Sequence, residues 1–234
     1  MWTDRTELLL GAAKMEILSA ARVVVVGIGG VGAYAAEMLV RAGIGHLKIV
    51  DSDTVGQTNI NRQLLALHST VGLPKTEVLS ARLMDINPKL DLCCEQVYVD
   101  EENMAAVVGE CDYVVDAIDT LSPKVALVQY CLGAGIPLVS AMGVGAKTDA
   151  TQVRLSDISR TRECPLAHQL RKRLHKLGIY EGFQAVYSEE RPAVESVIME
   201  ESRNKKSQVG TISYLPAVFG CVCAQAVILG LSRK

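Results

Sequence analysis

Two basic residues, Arg62 and Lys75, lie in polar stretches shortly after a glycine-rich turn and a pair of acids. Arg62 belongs to the stretch NINRQ, and Lys75 follows VGLP. A guanidinium group can grip phosphate oxygens with its fork of donors, and an ammonium group supplies a compact positive charge. Two such cations in successive loops suit the cleavage of a nucleotide phosphate, because they stabilise the charge that develops there. The alternative for each cation is a solvated position on the surface.

The glycine-rich turn GIGGVG follows the apolar run VVVV. Its glycines are Gly27, Gly29, Gly30 and Gly32. A turn of this spacing lets backbone N–H groups and a helix N-terminus face a phosphate. Asp51 and Asp53 follow at the end of the next strand, at a distance that suits hydrogen bonding to a ribose hydroxyl. The pattern predicts a nucleotide without choosing ATP or a nicotinamide dinucleotide, and glycines that only pack a strand on a helix are the alternative.

The two cations favour ATP over a dinucleotide. A dehydrogenase has no systematic need for two cations beside a diphosphate, whereas cleavage of ATP between its α and β phosphates does need them. Arg62 can bind phosphate oxygens, and Lys75 can act on the α-phosphate. Asn59 and Asn61 can donate or accept hydrogen bonds nearby without adding charge. We therefore predict ATP as the cofactor and these four side chains among the residues that bind it.

A further pair of acids, Asp116 and Asp119, ends the strand in the stretch YVVDAID. The carboxyl ends of parallel strands converge on one crevice, so these acids should lie near the glycine turn. A carboxylate near phosphates and cations suits Mg²⁺. We assign the metal to Asp119 because it lies further out, while Asp116 has the alternative of a structural acid that accepts backbone hydrogen bonds.

Strand and helix patterns alternate through the first two thirds of the chain. This order predicts an α/β fold, namely a doubly wound, mostly parallel Rossmann-like sheet with helices on both faces. Residues 4–20 read as one or two short helices, with Leu8 and Leu9 among the apolar residues expected to be buried. We predict one domain over residues 1–234, with a basic and irregular insertion at about 154–208.

The segment 154–176 is rich in Lys and Arg and could bind the backbone of a nucleic acid. A solvated helix face is the alternative. The candidates for contact with a nucleic acid are Arg160, Arg162, Arg171 and Arg173. No aromatic residue interrupts the segment, so nothing in it predicts base stacking, and Tyr180, Phe183 and Tyr187 further on read as structural.

Composition narrows the class of protein. The chain has 234 residues and a formal net charge of −2, so any attraction to nucleic acid must be local. Its seven cysteines form no CxxC pair, which argues against a four-cysteine zinc site and favours reduced thiols in the cytoplasm. Residues 211–231 carry no charge and approach the length of a membrane span, but Pro216 and Gly220 interrupt them. We favour a core helix there over membrane association.

The motifs GIGGVG, VDSD, TNINRQ, VGLPK and DAID, in this order over residues 22–142, resemble the ubiquitin-activating enzyme superfamily. The blocks DAIDTLSPK, TDATQV and PLAHQLRKRL extend the resemblance to the tRNA threonylcarbamoyladenosine dehydratases. The resemblance implies homodimers that use ATP and Mg²⁺ to close the threonylcarbamoyl group at tRNA position 37 into a ring through an adenylated carboxylate. It also implies that Asp53 binds the ribose and that an N-terminal arginine, here Arg5, enters the partner subunit's site.

The chain departs from the family's pattern at one cysteine, and two rival functions stay open. Relatives with a cysteine in a CVFS-like block have their counterpart here in Ala185, and Cys164 reads as an ordinary thiol. An adenylyltransferase that activates the C-terminus of a ubiquitin-like sulfur-carrier protein is the first rival, and a sulfur-transfer partner remains open with it. Such enzymes would have a zinc-bound CxxC pair, which this chain lacks. A nicotinamide oxidoreductase or nucleotide-sensing module is the second rival, and it would leave Arg62, Lys75 and Asp119 without a role.

Overall fold

The computed structural model describes residues 1–193, 195, 197–199 and 207–233. Its strands are β1 (Arg22–Val26), β2 (His46–Val50), β3 (Asp91–Glu95), β4 (Tyr113–Asp116), β5 (Leu138–Ala141), β6 (Val153–Asp157), β7 (Gln184–Ser188), β8 (Val197–Met199) and β9 (Ser207–Val209). Its helices are α1 (Asp4–Leu10), α2 (Ala12–Ala20), α3 (Gly32–Arg41), α4 (Lys75–Ile86), α5 (Met104–Val108), α6 (Leu121–Gly133), α7 (Pro165–His175) and α8 (Tyr214–Leu231).

Seven strands form one sheet in the order β3-β2-β1-β4-β5-β7-β6, and β8 pairs with β9. All neighbours in the seven-stranded sheet are parallel except β6, which runs antiparallel to β7. The strand order reverses at β1, whose neighbours are β2 and β4. Ligands of such sheets bind at the carboxyl ends of the strands next to this point. The predicted doubly wound α/β fold is confirmed.

The sequence of β1 explains the two-sided burial of the sheet. Val23 and Val25 face one core, and Val24 and Val26 face the other. Alternate residues of a strand point to opposite faces, so an uninterrupted apolar run requires cover on both. Helices α3, α4 and α8 contribute to the first core, and α5, α6 and α7 contribute to the second. This layering fixes β1 and the turn that follows it.

Helices α3 and α8 lie side by side and run in the same direction. A Cβ atom at Gly220 would lie 2.5 Å from the carbonyl oxygen of Val31, so only glycine allows this approach. Helix α8 is long and apolar enough by length and composition to cross a membrane, but half of it is buried inside the protein. Leu215 and Phe219 of α8 are fully buried, in agreement with the core helix expected there.

Two local expectations were wrong. Residues 153–188 do not form an irregular insertion, because β6 and β7 extend the main sheet and α7 covers one of its faces. Part of the remaining stretch, up to residue 208, lies outside the described residues. Leu8 and Leu9 are 89% and 82% exposed, because α1 has no buried residue and contacts the core through the partly buried Leu10 instead.

Candidate nucleotide-binding site

The glycine turn between β1 and α3 owes its shape to Gly27 and Gly32. Gly27 has a φ of 84°, and a Cβ atom on it would lie 2.8 Å from the carbonyl oxygen of Ala117 at the end of β4. A Cβ atom on Gly32 would lie 1.8 Å from the carbonyl oxygen of Gly27. These two positions therefore demand glycine for the turn and for the packing of α3. Gly29 and Gly30 face the side chains of Gln63 and Pro216 instead, where the absent Cβ leaves the backbone accessible.

Asp51 holds this turn in place from the end of β2. Its Oδ2 atom accepts a hydrogen bond from the backbone N–H of Ile28 at 2.8 Å, and its Oδ1 atom accepts one from Asp53 at 2.9 Å. Burial raises the pKa of the Asp51 carboxyl, although the charge of Lys75 acts in the opposite direction. Both carboxylate oxygens thus have protein donors, and the residue ties two strand ends together.

Lys75 begins α4 and points its ammonium group at the same two acids. Its Nζ atom lies 2.7 Å from Asp53 Oδ2 and 3.8 Å from Asp51 Oδ1. The Lys75 residue is only 5% exposed, whereas the Asp53 side chain is 66% exposed. The backbone N–H of Lys75 also donates to the carbonyl oxygen of Asp53. A buried cation is therefore anchored beside the glycine turn with one exposed acidic partner, so a phosphate could take the place of that partner.

The loop that carries Arg62 is fixed by its own polar residues. Arg62 Nη1 donates to the carbonyl oxygen of Thr58 and to Asn61 Oδ1, each at 2.9 Å. Asn59 Oδ1 accepts from the backbone of Gly56, and Asn61 Nδ2 donates to the carbonyl oxygen of Thr211. The two asparagines thus shape the loop through these contacts. The carbonyl oxygen of Arg62 lies against Gly30, which places this loop beside the glycine turn.

Gln63, the last residue of NINRQ, adds a polar group that we did not predict from the sequence. It is 8% exposed, and its Nε2 atom would be 3.5 Å from a Cβ atom on Gly29. Its Oε1 atom is the one buried side-chain oxygen or nitrogen without a hydrogen-bond partner among the described residues. Buried polar groups are nearly always paired, so an unpaired one calls for an explanation such as a functional role. Its adjacency to Arg62 was the signal available in the sequence.

Asp116 and Asp119 have different surroundings at the end of β4. Asp116 is fully buried, and its Oδ2 atom lies 2.6 Å from Lys124 Nζ and 2.5 Å from Ser140 Oγ. Its Oδ1 atom accepts from the backbone of Ile118. These contacts agree with the interpretation of Asp116 as a structural acid, although nothing in the sequence indicated its partners Lys124 and Ser140. Asp119, three residues further on, is exposed.

The described residues contain no cluster of three or more His, Cys, Asp or Glu side chains that could hold a metal ion. Mg²⁺ often binds through one or two carboxylates, substrate phosphates and water. Asp119 fits this type of ligand set because it is a carboxylate at the strand end beside the glycine turn. Among the described residues it would therefore bind the metal together with phosphate oxygens.

Arg5 lies away from the site of its own subunit. It lines a groove of about 490 Å³ with Leu9 of α1, Met38 and Ala42 near the end of α3, and Leu229 near the end of α8. Ala42 follows Gly32 by ten residues, which corresponds to about 15 Å along a helix. The fold thus does not bring Arg5 to the glycine turn beside Arg62 and Lys75.

The four predicted tRNA contacts have unequal surroundings. Arg162 pairs with Glu189 at 2.5 Å, and Arg171 donates to the carbonyl and hydroxyl oxygens of Thr161. Arg160 is exposed. Arg173 is exposed as well, and its Nη1 atom lies 2.9 Å from Ser122 Oγ in the first turn of α6. The C-terminal half of helix α7 therefore contacts the start of α6, close to the stretch that contains Asp119.

The two positions considered for a reactive cysteine are both buried. Ala185 is fully buried in β7, opposite Ser140 of β5. Cys164 is 6% exposed and precedes α7, with its Sγ atom 4.0 Å from the carbonyl oxygen of Gly143. Neither is open to a second macromolecule in this arrangement, which agrees with the expectation of an ordinary thiol at Cys164.

Comparison with known proteins gives consistent similarities. Residues 4–234 match the model of the ThiF family. The chain is 39% identical to the tRNA threonylcarbamoyladenosine dehydratase of Bacillus subtilis, over 98% of this chain and 94% of the relative. It superimposes with a TM-score of 0.91 on the crystal structure of the Escherichia coli tRNA N6-threonylcarbamoyladenosine dehydratase in complex with ATP, at 35% identity over 99% of this chain and 93% of that one. The E. coli molybdopterin-synthase adenylyltransferase is 35% identical over 61% of this chain and 57% of the relative.

Proposed function

Since the chain belongs to the ThiF family, we propose that it is an ATP-dependent tRNA threonylcarbamoyladenosine dehydratase with the activating-enzyme fold. It closes N6-threonylcarbamoyladenosine at tRNA position 37 into a ring through an adenylated carboxylate. One observation carries the proposal. The buried Lys75 ammonium stands beside the glycine turn and next to an exposed acid, where a triphosphate gives a better partner than the diphosphate of a dinucleotide.

The residues of the crevice divide the work of adenylation. The carboxylate of the modified base attacks the α-phosphorus of ATP, and pyrophosphate leaves. Lys75 and Arg62 stabilise the negative charge on the phosphate oxygens in this step. Asp51 holds the glycine turn in shape, and Asp53 and Asp51 are the candidates for the ribose. Asp119 would hold Mg²⁺, which neutralises charge on the phosphates when bound.

Ring closure needs no nucleophile from the protein. The threonylcarbamoyl group carries its own nucleophile, tethered to the activated carboxyl carbon, so the reaction is intramolecular. The new bond to that carbon forms as the bond to AMP breaks, and the nucleophile gives up a proton. The net change in the base is the loss of one water molecule. The burial of Cys164 and Ala185 agrees with a reaction that proceeds without a cysteine.

The rival function, activation of a ubiquitin-like sulfur carrier, is less well supported. Similarity to a molybdopterin-synthase adenylyltransferase covers 61% of this chain, whereas similarity to a dehydratase covers 98%. The two functions differ in what triggers pyrophosphate release from ATP. We expect release with tRNA that carries threonylcarbamoyladenosine, and none with a carrier protein ending in Gly-Gly. A sulfur-transfer partner is not needed for ring closure.

Mass spectrometry of tRNA nucleosides after incubation with ATP tests the function. The parent protein should convert threonylcarbamoyladenosine to a product lighter by one water. Lys75→Ala should lose conversion by roughly 100-fold or more, since removal of one group that stabilises the transition state has effects of that order. Lys89→Ala is the matched control, because Lys89 is an exposed lysine just beyond the same helix. Absence of the product with the parent protein would refute the function, and equal rates for Lys75→Ala would refute the role of Lys75.

We propose further that the protein works as a homodimer and that Arg5 serves the partner's site. Leu8 and Leu9 of α1 are mostly exposed beside the groove that Arg5 lines, and apolar residues of this kind favour association. Arg5→Ala and Lys75→Ala should each be inactive. Their equimolar mixture should recover roughly a quarter of the parent activity, because half of the dimers are mixed and each has one intact site. No recovery after subunit exchange would contradict this arrangement.

Four further assignments belong to the proposal. The seven cysteines are free thiols, which supports a reducing compartment and hence the cytoplasm. The burial of Leu215, Phe219 and Cys223 supports α8 as a core helix and speaks against membrane association. The continuous seven-stranded sheet supports a single domain over residues 1–234, within which the exposed Arg160 and Arg173 are the better placed of the predicted tRNA contacts.

A further inference from the structure

A pair of aromatic rings lies at the C-terminal end of the basic helix α7. Gly178 has a φ of 75°, a left-handed conformation that glycine adopts readily, and it reverses the chain after the helix. The reversal brings the ring of Tyr180 to 4.9 Å from the ring of His175, with 37° between their planes. Tyr180 is 61% exposed, whereas Phe183 and Tyr187 are buried. Only the folded chain therefore brings an aromatic surface to the basic segment.

Cationic and neutral polar side chains surround this aromatic pair. His168, Lys172, His175 and Lys176 follow one another at helical spacing on one side of α7, and all four are exposed. Between residues 164 and 181 the sequence contains two lysines and two arginines but one acid, Glu181. The exposed side of the helix therefore has a surplus of positive charge next to a flat ring.

The same helix reaches the rim of the candidate site. Arg173 Nη1 lies 2.9 Å from Ser122 Oγ, and Ser122 follows Asp119 by three residues at the end of β4. Arg173 is also exposed and precedes His175 by two residues. A molecule whose reacting group lies near Asp119 can therefore extend across α7 towards Tyr180.

We propose that His175 and Tyr180 form a stacking platform for an unpaired base in the RNA loop that contains the target nucleotide. Lys172 and Lys176 then bind the adjoining phosphates. The inference rests on the proposed function, which supplies an RNA substrate. An exposed ring amid cations suits single-stranded RNA, because each base offers a flat face and each nucleotide carries a negative phosphate. A protein partner is less suited, because the exposed surface here is mainly charged. At this end of the helix Leu177 is the one large apolar side chain that is exposed.

Binding of an anticodon stem-loop RNA, measured by fluorescence anisotropy at fixed salt, tests the platform. A base–aromatic stack corresponds to a change of roughly 5- to 150-fold in the dissociation constant, so Tyr180→Ala should weaken binding within that range. Tyr180→Phe keeps the ring and should bind like the parent. Tyr98→Ala is the matched control, since Tyr98 is a 50% exposed tyrosine on another loop.

Two further measurements separate stacking from other effects. A fully paired RNA hairpin of equal charge, closed by a short linker, should bind Tyr180→Ala and the parent with the same affinity. The double variant Lys172→Ala/Lys176→Ala should weaken the binding of both RNAs and reduce the salt dependence of that binding. The fluorescence of 2-aminopurine placed in the loop should be quenched by the parent and by Tyr180→Phe, but not by Tyr180→Ala.

The outcomes distinguish this inference from the proposed function. If the parent cyclises the base in tRNA and Tyr180→Ala binds the stem-loop with unchanged affinity, the platform is wrong and the function stands. The platform is equally wrong if Tyr180→Ala keeps its affinity for RNA and loses binding to a protein partner. If the parent forms no cyclic product, the function fails irrespective of Tyr180. Thermal unfolding of each variant confirms that a change in binding does not reflect a loss of folding.

Discussion

Replacement of Lys124 by Met removes one half of a fully buried ion pair. Lys124 Nζ donates to Asp116 Oδ2 at 2.6 Å, to Ser140 Oγ at 3.1 Å and to the carbonyl oxygen of Ala141 at 3.0 Å. Both charged side chains have no exposed surface. The variant leaves the Asp116 carboxylate in the core without its counter-charge, and loss of one partner of such a pair costs about 3–5 kcal/mol. This is a large share of the ~5–15 kcal/mol that stabilises an ordinary domain.

The double variant Lys124→Met/Asp116→Asn distinguishes the contribution of the ion pair to stability from that of side-chain packing. The amide that replaces the Asp116 carboxylate keeps an oxygen for the Ile118 backbone and adds an NH₂ group that can donate to Ser140, while no charge remains in the core. The double variant should therefore be more stable than Lys124→Met. The coupling free energy in the double-mutant cycle should exceed about 1 kcal/mol, since residues in one network couple by roughly 0.5–3 kcal/mol.

Urea unfolding monitored by circular dichroism gives the four free energies. A loss below about 1 kcal/mol for Lys124→Met, or free energies that add in the double variant, would falsify the reasoning. Because Asp116 orients the backbone that leads to Asp119, Lys124→Met should also raise the KM for ATP in the protein that remains folded. If the variant loses stability but its KM is unchanged, the ion pair stabilises the fold without influencing the nucleotide-binding site.

Three other results are expected. Burial alone would raise the pKa of Glu37, but hydrogen bonds from Arg82 and Arg41 outweigh it and lower the pKa below the ordinary 4.5. The stability that this carboxylate contributes is therefore present above pH 4.5 and is lost as the pH falls through the lower folded value. The amount by which Glu37→Gln lowers the free energy of unfolding should accordingly shrink in acid. Gln63→Met removes the unpaired Oε1 atom and should raise the free energy of unfolding by about 1 kcal/mol, and a clear loss would indicate a partner for that atom. Burial raises the pKa of Cys131 to about 12, so iodoacetamide at a pH of about 8 should leave this thiol unmodified while exposed Cys93 reacts, as peptide mass spectrometry can measure.

The sequence predicted the central fold and the positions of the site elements. Uninterrupted apolar strands alternating with helices leave little choice other than a parallel sheet covered on both faces, and its strand ends must converge. The glycine spacing, the acids after β2 and β4, and Lys75 could therefore be assigned to one crevice, and the structure brings Lys75 to 2.7 Å from Asp53. The fold prediction was confirmed because it depends on local periodicity and on connections with a fixed hand.

The partners of buried polar groups could be found only in the folded chain. Lys124 and Ser140 lie on different elements, and only the sheet order brings them to Asp116. The contact between Tyr180 and His175 likewise depends on the turn at Gly178, and the exposure of Leu8 and Leu9 depends on how α1 docks. Residue type and spacing fix which groups an element offers to a neighbour. The identity of that neighbour is set by long-range packing and desolvation, which combine segments far apart in the chain.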